Sequence, residues 1–287
     1  MCFVLSVGLA EQTRGDDAMD LDRLKTSMTF YASFDQSLDG DFALGDPRIY
    51  STGSMKAVAD AKPGLGQAKR VVRVERGGVR DGGALHFTGK GSSFPFFRGN
   101  KNINDATKNW EGTVSFSLKV DPAKNPGFND PIQVTDADYK ESAIWVDFTK
   151  NNPREFRLAV VCDRQPNGKR LERENRVVAA KSLPFSGDQW TQITITWSAL
   201  NTDHGEAHMY FDGEHQASVV GVYDPFTLDS AKSRIHMGLG YTGMFDELSA
   251  FNRSLSPAEV KALHKLKRGA ADLLSKDHSD GSGQIDR

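Results

Sequence analysis

From about Met28 to Leu248 the apolar residues of this 287-residue chain recur with period two, in short runs bounded by Gly, Asn, Asp and Pro. Successive side chains of a strand point to opposite faces, so a run of this kind reads as a half-buried strand. Many such runs separated by turn residues predict an all-β sandwich or barrel. The clearest expected strands are Met28–Phe34, Ala84–Thr88, Thr113–Val120, Ala143–Phe148, Phe156–Val161, Gln192–Trp197, Ala207–Asp212, Arg234–Leu239 and Met244–Phe251. Alternation also assigns their sides. Val114, Phe116, Leu118 and Val120 share one face, as do Ile144, Val146 and Phe148, then Ile193, Ile195 and Trp197, then Met209 and Phe211. These are expected core. Trp145, Asp147, Arg157, His208 and Tyr210 fall on the opposite side of their strands.

Helix is expected at one place. Ser256-Pro257-Ala258-Glu259 supplies an N-cap, a proline at the first helical position and a glutamate at the third, opening a short helix to about Leu266. Residues 267–287 are polar and read as a disordered tail. At the other end, Cys2 to Ala10 is short, uncharged and apolar and resembles the second half of a secretory signal without its basic region. The acid-rich stretch that follows reads as a linker. Residues 1–27 are therefore expected to be a partial signal peptide and linker, residues 28–266 one domain, and the protein secreted or periplasmic.

Lysine and arginine total 36 against 38 acids, a net charge of −2, which speaks against nucleic acid as the partner. No apolar run approaches the ~20 residues of a membrane-crossing helix. Gly238-Leu-Gly240-Tyr-Thr-Gly243 satisfies the dinucleotide-binding spacing, but the residues after it alternate as a strand where that site needs a helix N-terminus.

Several segments carry a family resemblance. Phe30-Tyr-Ala-Ser-Phe34-Asp35, Gly83-Ala-Leu-His-Phe87, Trp110-Glu-Gly-Thr-Val-Ser-Phe116, Gln189-Trp190 to Trp197, Ala207 to Gly213, and Phe245-Asp246-Glu247 to Glu259 occur in order over more than two hundred residues. The chain resembles the LamG-like jelly-roll domains of the concanavalin A-like lectin/glucanase superfamily. That resemblance implies two antiparallel sheets, one convex and one concave, and a non-catalytic binding role, commonly on exported proteins.

The resulting expectation is an exported binding module for carbohydrate or a glycosylated surface. A concave sheet carrying Trp145, Asp147, Arg157, His208 and Tyr210 would offer an aromatic plane to a pyranose and polar groups to its hydroxyls. Two alternatives stay open. One is a structural or protein-interaction domain whose outer sheet face is simply polar; the other is a polysaccharide-degrading enzyme. Glycosidases need carboxyl groups ~5–9.5 Å apart. Glu141 and Asp147 are too far apart along one strand, which leaves Asp136, Asp138 or Asp147 as fallback acids.

Among metals, calcium has the best candidate. Asp35, Ser37, Asp39 and Asp41 place oxygens at alternate loop positions, with Gly40 at the sixth and Asp46 at the twelfth. The resemblance adds a structural calcium near the first and last strands, where Asp35 and Asp246 stand. The expected ligands are thus Asp35, Asp39 and Asp246. His204, His208 and His215 are clustered without the spacing of a zinc helix.

Overall fold

The computed structural model describes residues 19–104, 106–163 and 176–274. The expected leader, and the tail from 275 onward, lie outside these residues. The fold is mostly β, with two antiparallel sheets packed face to face. Sheet I runs in the order β15 (Glu214–Val222), β14 (Gly205–Phe211), β13 (Thr191–Leu200), β8 (Trp110–Lys119), β17 (Gly243–Phe251), β1 (Met28–Ala32), β2 (Phe42–Ala43). β6 (Ala84–Phe87) also pairs with β17, and β5 (Val71–Val74) pairs with β6. Sheet II runs β12 (Val177–Ala179), β11 (Phe156–Val161), β10 (Glu141–Phe148), β9 (Asn129–Asp138), β16 (Arg234–Leu239), β7 (Phe94–Arg98), β3 (Ile49–Thr52), β4 (Lys62–Pro63).

The inner faces follow the alternation. Val114, Phe116 and Leu118 of β8, Ile193, Ile195 and Trp197 of β13, and Met209 and Phe211 of β14 meet Ile144, Val146 and Phe148 of β10 in one buried cluster. Phe116 stacks on Phe245 with ring centroids 5.2 Å apart. The Gly238–Gly243 run is the turn joining β16 to β17.

Two boundaries differ from expectation. Residues 19–27, expected as linker, form a helix α1, and its Leu24 is fully buried. The expected C-terminal helix is present as α2 (Pro257–His264), closed by a reciprocal Ser256–Glu259 capping box, with Arg253 holding both Glu259 oxygens. The chain then continues into α3 (Ala271–Leu274), where the disordered tail was expected to have begun. Leu24, Val260, Leu263 and Leu273 pack with Tyr31, Tyr210 and Phe251 in one cluster against sheet I. Single apolar residues in polar surroundings leave little periodic signal, which is why both ends read as unstructured.

β9 was hidden for a different reason. Asp130-Pro131 and the acids at 136 and 138 suggest a loop, yet Ile132 and Val134 enter the core. Pro131 is accommodated because the β9–β10 register shifts between Val146 and Phe148, relaxing the ladder where a backbone donor is missing. Asp136 and Asp138, among the fallback acids, lie in the last residues of β9 and are engaged structurally: Asp136 accepts the N–H of Asp229 and Asp138 that of Lys140.

Candidate functional site

Trp145 and Asp147 on β10 and Arg157 on β11 all point outward from sheet II, as alternation requires. Asp147 is the direct cross-strand partner of Arg157. Arg157 donates from Nε to Asp147 Oδ1 at 2.8 Å and from Nη2 to Oδ2 at 2.6 Å. Such a fork-on-carboxylate pair is rigid and directional.

With Phe128, Asp130 and Tyr139 these three residues line a cavity of about 420 Å³. Phe128 just precedes β9, Asp130 lies in it and Tyr139 follows it, so the strand missed in the sequence and its two flanks supply three of the six lining residues. Phe128 is 50% exposed and Tyr139 39%. The Arg157 guanidinium lies 5.9 Å from the ring centroids of both Phe128 and Trp145. Asp130 Oδ1 is buried without a hydrogen-bond partner among the described residues. Burial, then the charge of Asp147, push the Asp130 carboxyl up to about 7, so near neutral pH this group can both donate and accept.

Trp145 itself differs from the expected exposed platform. It is 4% exposed and packs with Ala143, Ala159, Val161 and Val177. Its Nε1–H donates to the Tyr139 carbonyl at 3.1 Å. The indole is the floor of the cavity, and the open aromatic surfaces are Phe128 and Tyr139.

His208 and Tyr210 are corrected more strongly. They sit on β14 in sheet I, facing outward on the opposite side of the sandwich, and do not join Trp145 in one groove. Tyr210 is covered by the cluster around α2. His208 Nδ1 and His215 Nε2 share the Ser218 hydroxyl at 2.8 and 2.7 Å, beside a depression lined also by Arg23, Glu206 and Arg253. Strand order is what separates the two groups, and it is a non-local property.

Both Asp147 oxygens are engaged by Arg157, which makes this carboxylate a fixed acceptor rather than a free base. The cavity therefore combines aromatic surface, a rigid ion pair and a titratable carboxyl in a binding arrangement. A family model, Laminin_G_3, matches residues 98–261. The chain belongs to the concanavalin A-like lectin/glucanases superfamily. No curated protein sequence matches it.

Solved structures similar to this superfamily member include domain 4 of an extracellular arabinanase from Geobacillus stearothermophilus in complex with arabinotriose. That domain is 17% identical with a TM-score of 0.51, over 82% of this chain and 97% of the other. The botulinum neurotoxin serotype D ligand-binding domain in complex with N-acetylneuraminic acid is 11% identical with a TM-score of 0.56, over 85% and 52%. The binding domain of Paraclostridial mosquitocidal protein 1 is 14% identical with a TM-score of 0.50, over 84% and 52%. The chain spans about half the length of these two toxin domains. At such identities the likeness is one of fold.

The superfamily resemblance also implies calcium, and the acids near β1 and β17 test that fit. The loop oxygens after β1 do not converge. Asp39 accepts the Ile49 N–H, Asp41 that of Ser33, and Asp46 is held by Arg48 and Tyr50. Among the described residues no three His, Cys, Asp or Glu side chains form a metal cluster, so Asp35, Asp39 and Asp246 are not a common ligand set and the histidines are not one either.

Asp35 and Asp246 alone share a surrounding. Asp35 accepts the Gly83 N–H at 2.8 Å and Asp246 the Val79 N–H at 2.7 Å. The loop between them is glycine-rich because a Cβ on Gly82 would stand 1.9 Å from Asp35 Oδ1 and one on Gly78 2.8 Å from Asp246 Oδ2. Asp246 is fully buried. Burial, then the charges of Glu247 and Asp35, push its carboxyl up to about 9, whereas neighbouring Glu247 is paired with Arg80 at 3.1 Å. The two carboxyls are hard oxygen ligands compatible with a calcium ion completed by backbone carbonyls, whose charge would hold Asp246 in its ionised form.

Proposed function

We propose that this chain is an exported carbohydrate-binding module whose ligand rests in the cavity on the outer face of sheet II. The observation that carries this reading is the pairing of two open aromatic rings, Phe128 and Tyr139, with the Asp147–Arg157 ion pair and the Asp130 carboxyl in one cavity. A pyranose or furanose offers an apolar face to such rings and hydroxyls to such polar groups. Arabinotriose and N-acetylneuraminic acid on two structures of like fold are in keeping with a saccharide. Titration calorimetry against neutral oligosaccharides tests it. Tyr139→Ala should weaken binding about tenfold, some 1.4 kcal/mol, with the melting temperature held. Unchanged affinity in Tyr139→Ala, or no saccharide bound by the native protein, would sink the reading and leave a protein-interaction domain.

Calcium is proposed at Asp35 and Asp246, with Asp39 removed from the set. An ion bound to the native state and not to the unfolded chain stabilises by mass action, by about 2.7 kcal/mol at a hundredfold excess over Kd. Millimolar calcium is expected to raise the melting temperature, and Asp35→Ala to abolish the rise. No shift in the native protein rejects the site. Export rests on the opening residues alone, and the mass of the chain recovered from its host checks it.

A further inference from the structure

A cavity of about 730 Å³ lies on the outer face of sheet I, on the far side of the sandwich from the aromatic cavity. Along β14 and β15 its wall holds four side chains in series. Glu206 Oε1 is 3.4 Å from His208 Nε2, His208 Nδ1 is 2.8 Å from Ser218 Oγ, and Ser218 Oγ is 2.7 Å from His215 Nε2.

An irregularity in the β14–β15 ladder completes the series. His215 and Ser218 are three residues apart, and in a regular strand they would face opposite sides of the sheet. Met209 pairs with Ala217 but Tyr210 pairs with His215, so Gln216 is an extra residue on β15. This bulge turns His215 to the outer face, where Ser218 already stands opposite His208. Ala217 and Val219 keep their places in the core. Bulges recur next to active sites, where they re-aim a side chain.

Proton counting gives the series a direction. A carboxylate only accepts, so His208 carries its ring proton on Nε2, facing Glu206, and Nδ1 is left as an acceptor. Ser218 must then donate its hydroxyl proton to Nδ1, and its oxygen accepts the Nε2–H of His215. Burial, then the charge of His208, holds the His215 imidazole below its ordinary pKa, which keeps it neutral with a single ring proton at pH 7. Glu206 is itself steadied by the Ser198 hydroxyl at 3.3 Å. A serine that donates to an imidazole whose other nitrogen faces a carboxylate is arranged as an activated nucleophile. His208 and Ser218 are half-buried and His215 is exposed, so a small molecule reaches Oγ. Leu255 and Pro257 give the same cavity an apolar side, and Arg23 gives it a cation.

We propose that Ser218 is the nucleophile of an esterase site for short-chain carboxylic esters, with His208 as general base and Glu206 as its positioning residue. Ser218 Oγ attacks the ester carbonyl carbon while its proton passes to His208 Nδ1. The His215 Nε2–H, already set on Oγ, is the donor beside the oxyanion that forms. The bond from carbon to the alcohol oxygen breaks, that oxygen takes the proton from Nδ1, and the acyl group stays on Ser218. Water then attacks the acyl carbon and gives its proton to Nδ1. Oγ leaves with that proton, and the carboxylic acid is released. The sum is ester plus water to acid plus alcohol. The site is separate from the saccharide cavity and does not depend on the carbohydrate reading.

The test is fluorophosphonate labelling of the full chain together with hydrolysis of p-nitrophenyl acetate near neutral pH. Peptide mass mapping is expected to place the phosphonyl adduct on Ser218. Ser218→Ala and His208→Ala should each lower kcat/KM on the order of a hundredfold. Glu206→Gln should lower kcat with KM and the melting temperature held, which a purely structural role would not produce. Solvent-exposed imidazoles also cleave activated esters, and hydrolysis of that origin survives Ser218→Ala. Hydrolysis retained in Ser218→Ala, or a native protein that carries no adduct on Ser218, therefore overturns the proposal. Labelling is read on the native chain, so the result stands even where a variant fails to fold.

Discussion

Trp197→Ala is expected to destabilise the fold by about 3–5 kcal/mol, read from denaturant unfolding at constant m-value. Trp197 lies on β13, between β8 and β14 in the interior of sheet I, and is fully buried. Its ring centroid is 5.0 Å from that of Trp110, which stacks in turn on Phe226 at 5.2 Å. Its cross-strand partner is Gly112, where a Cβ would stand 2.3 Å from the indole. The ring therefore fills space that the opposite strand leaves open, and truncation opens a cavity that neighbouring rings cannot collapse into. The indole Nε1–H has no hydrogen-bond partner among the described residues. Trp197→Phe removes that orphan donor and keeps most of the ring, so its loss should be nearer ~1 kcal/mol. An alanine variant that lost less than the phenylalanine variant would refute this account of the core.

The side each residue occupies was legible in the sequence because one face of every long strand is buried, and a slip of one residue would turn the whole apolar set outward. Val114, Ile144, Ile195 and Phe211 all enter the core as alternation demands. Trp145, Asp147 and Arg157 came together because β10 and β11 form a hairpin, a local pairing. His208 and Tyr210 face outward too, but on the other sheet, since β14 pairs with β13 and β15. Sheet membership depends on long-range pairing, and no local pattern encodes it. Phe128, Asp130 and Tyr139 escaped for want of β9, whose proline and acids obscure two core positions. The signal that could have found them is Ile132 and Val134, an alternating pair directly after Pro131.

Trp145→Ala should destabilise the protein by about 3 kcal/mol, despite the residue's place on the outer face of a sheet. Outward does not mean exposed here, because β11 and β12 place Ala159 and Val177 beside the ring, and the Tyr139 carbonyl accepts its N–H. Removing the indole strands that carbonyl and opens the floor of the cavity, so stability and ligand affinity should fall together. Trp145→Phe separates the two contributions. It keeps much of the apolar contact and loses the hydrogen bond, for about 1 kcal/mol. Thermal unfolding of both variants is the measurement. A melting temperature unchanged in Trp145→Ala would mean the ring is not part of the packed structure and would return the sugar-stacking role to it. A fall in Trp145→Ala beside a thermally silent Tyr139→Ala would instead assign support to the buried indole and contact with ligand to the open rings above it.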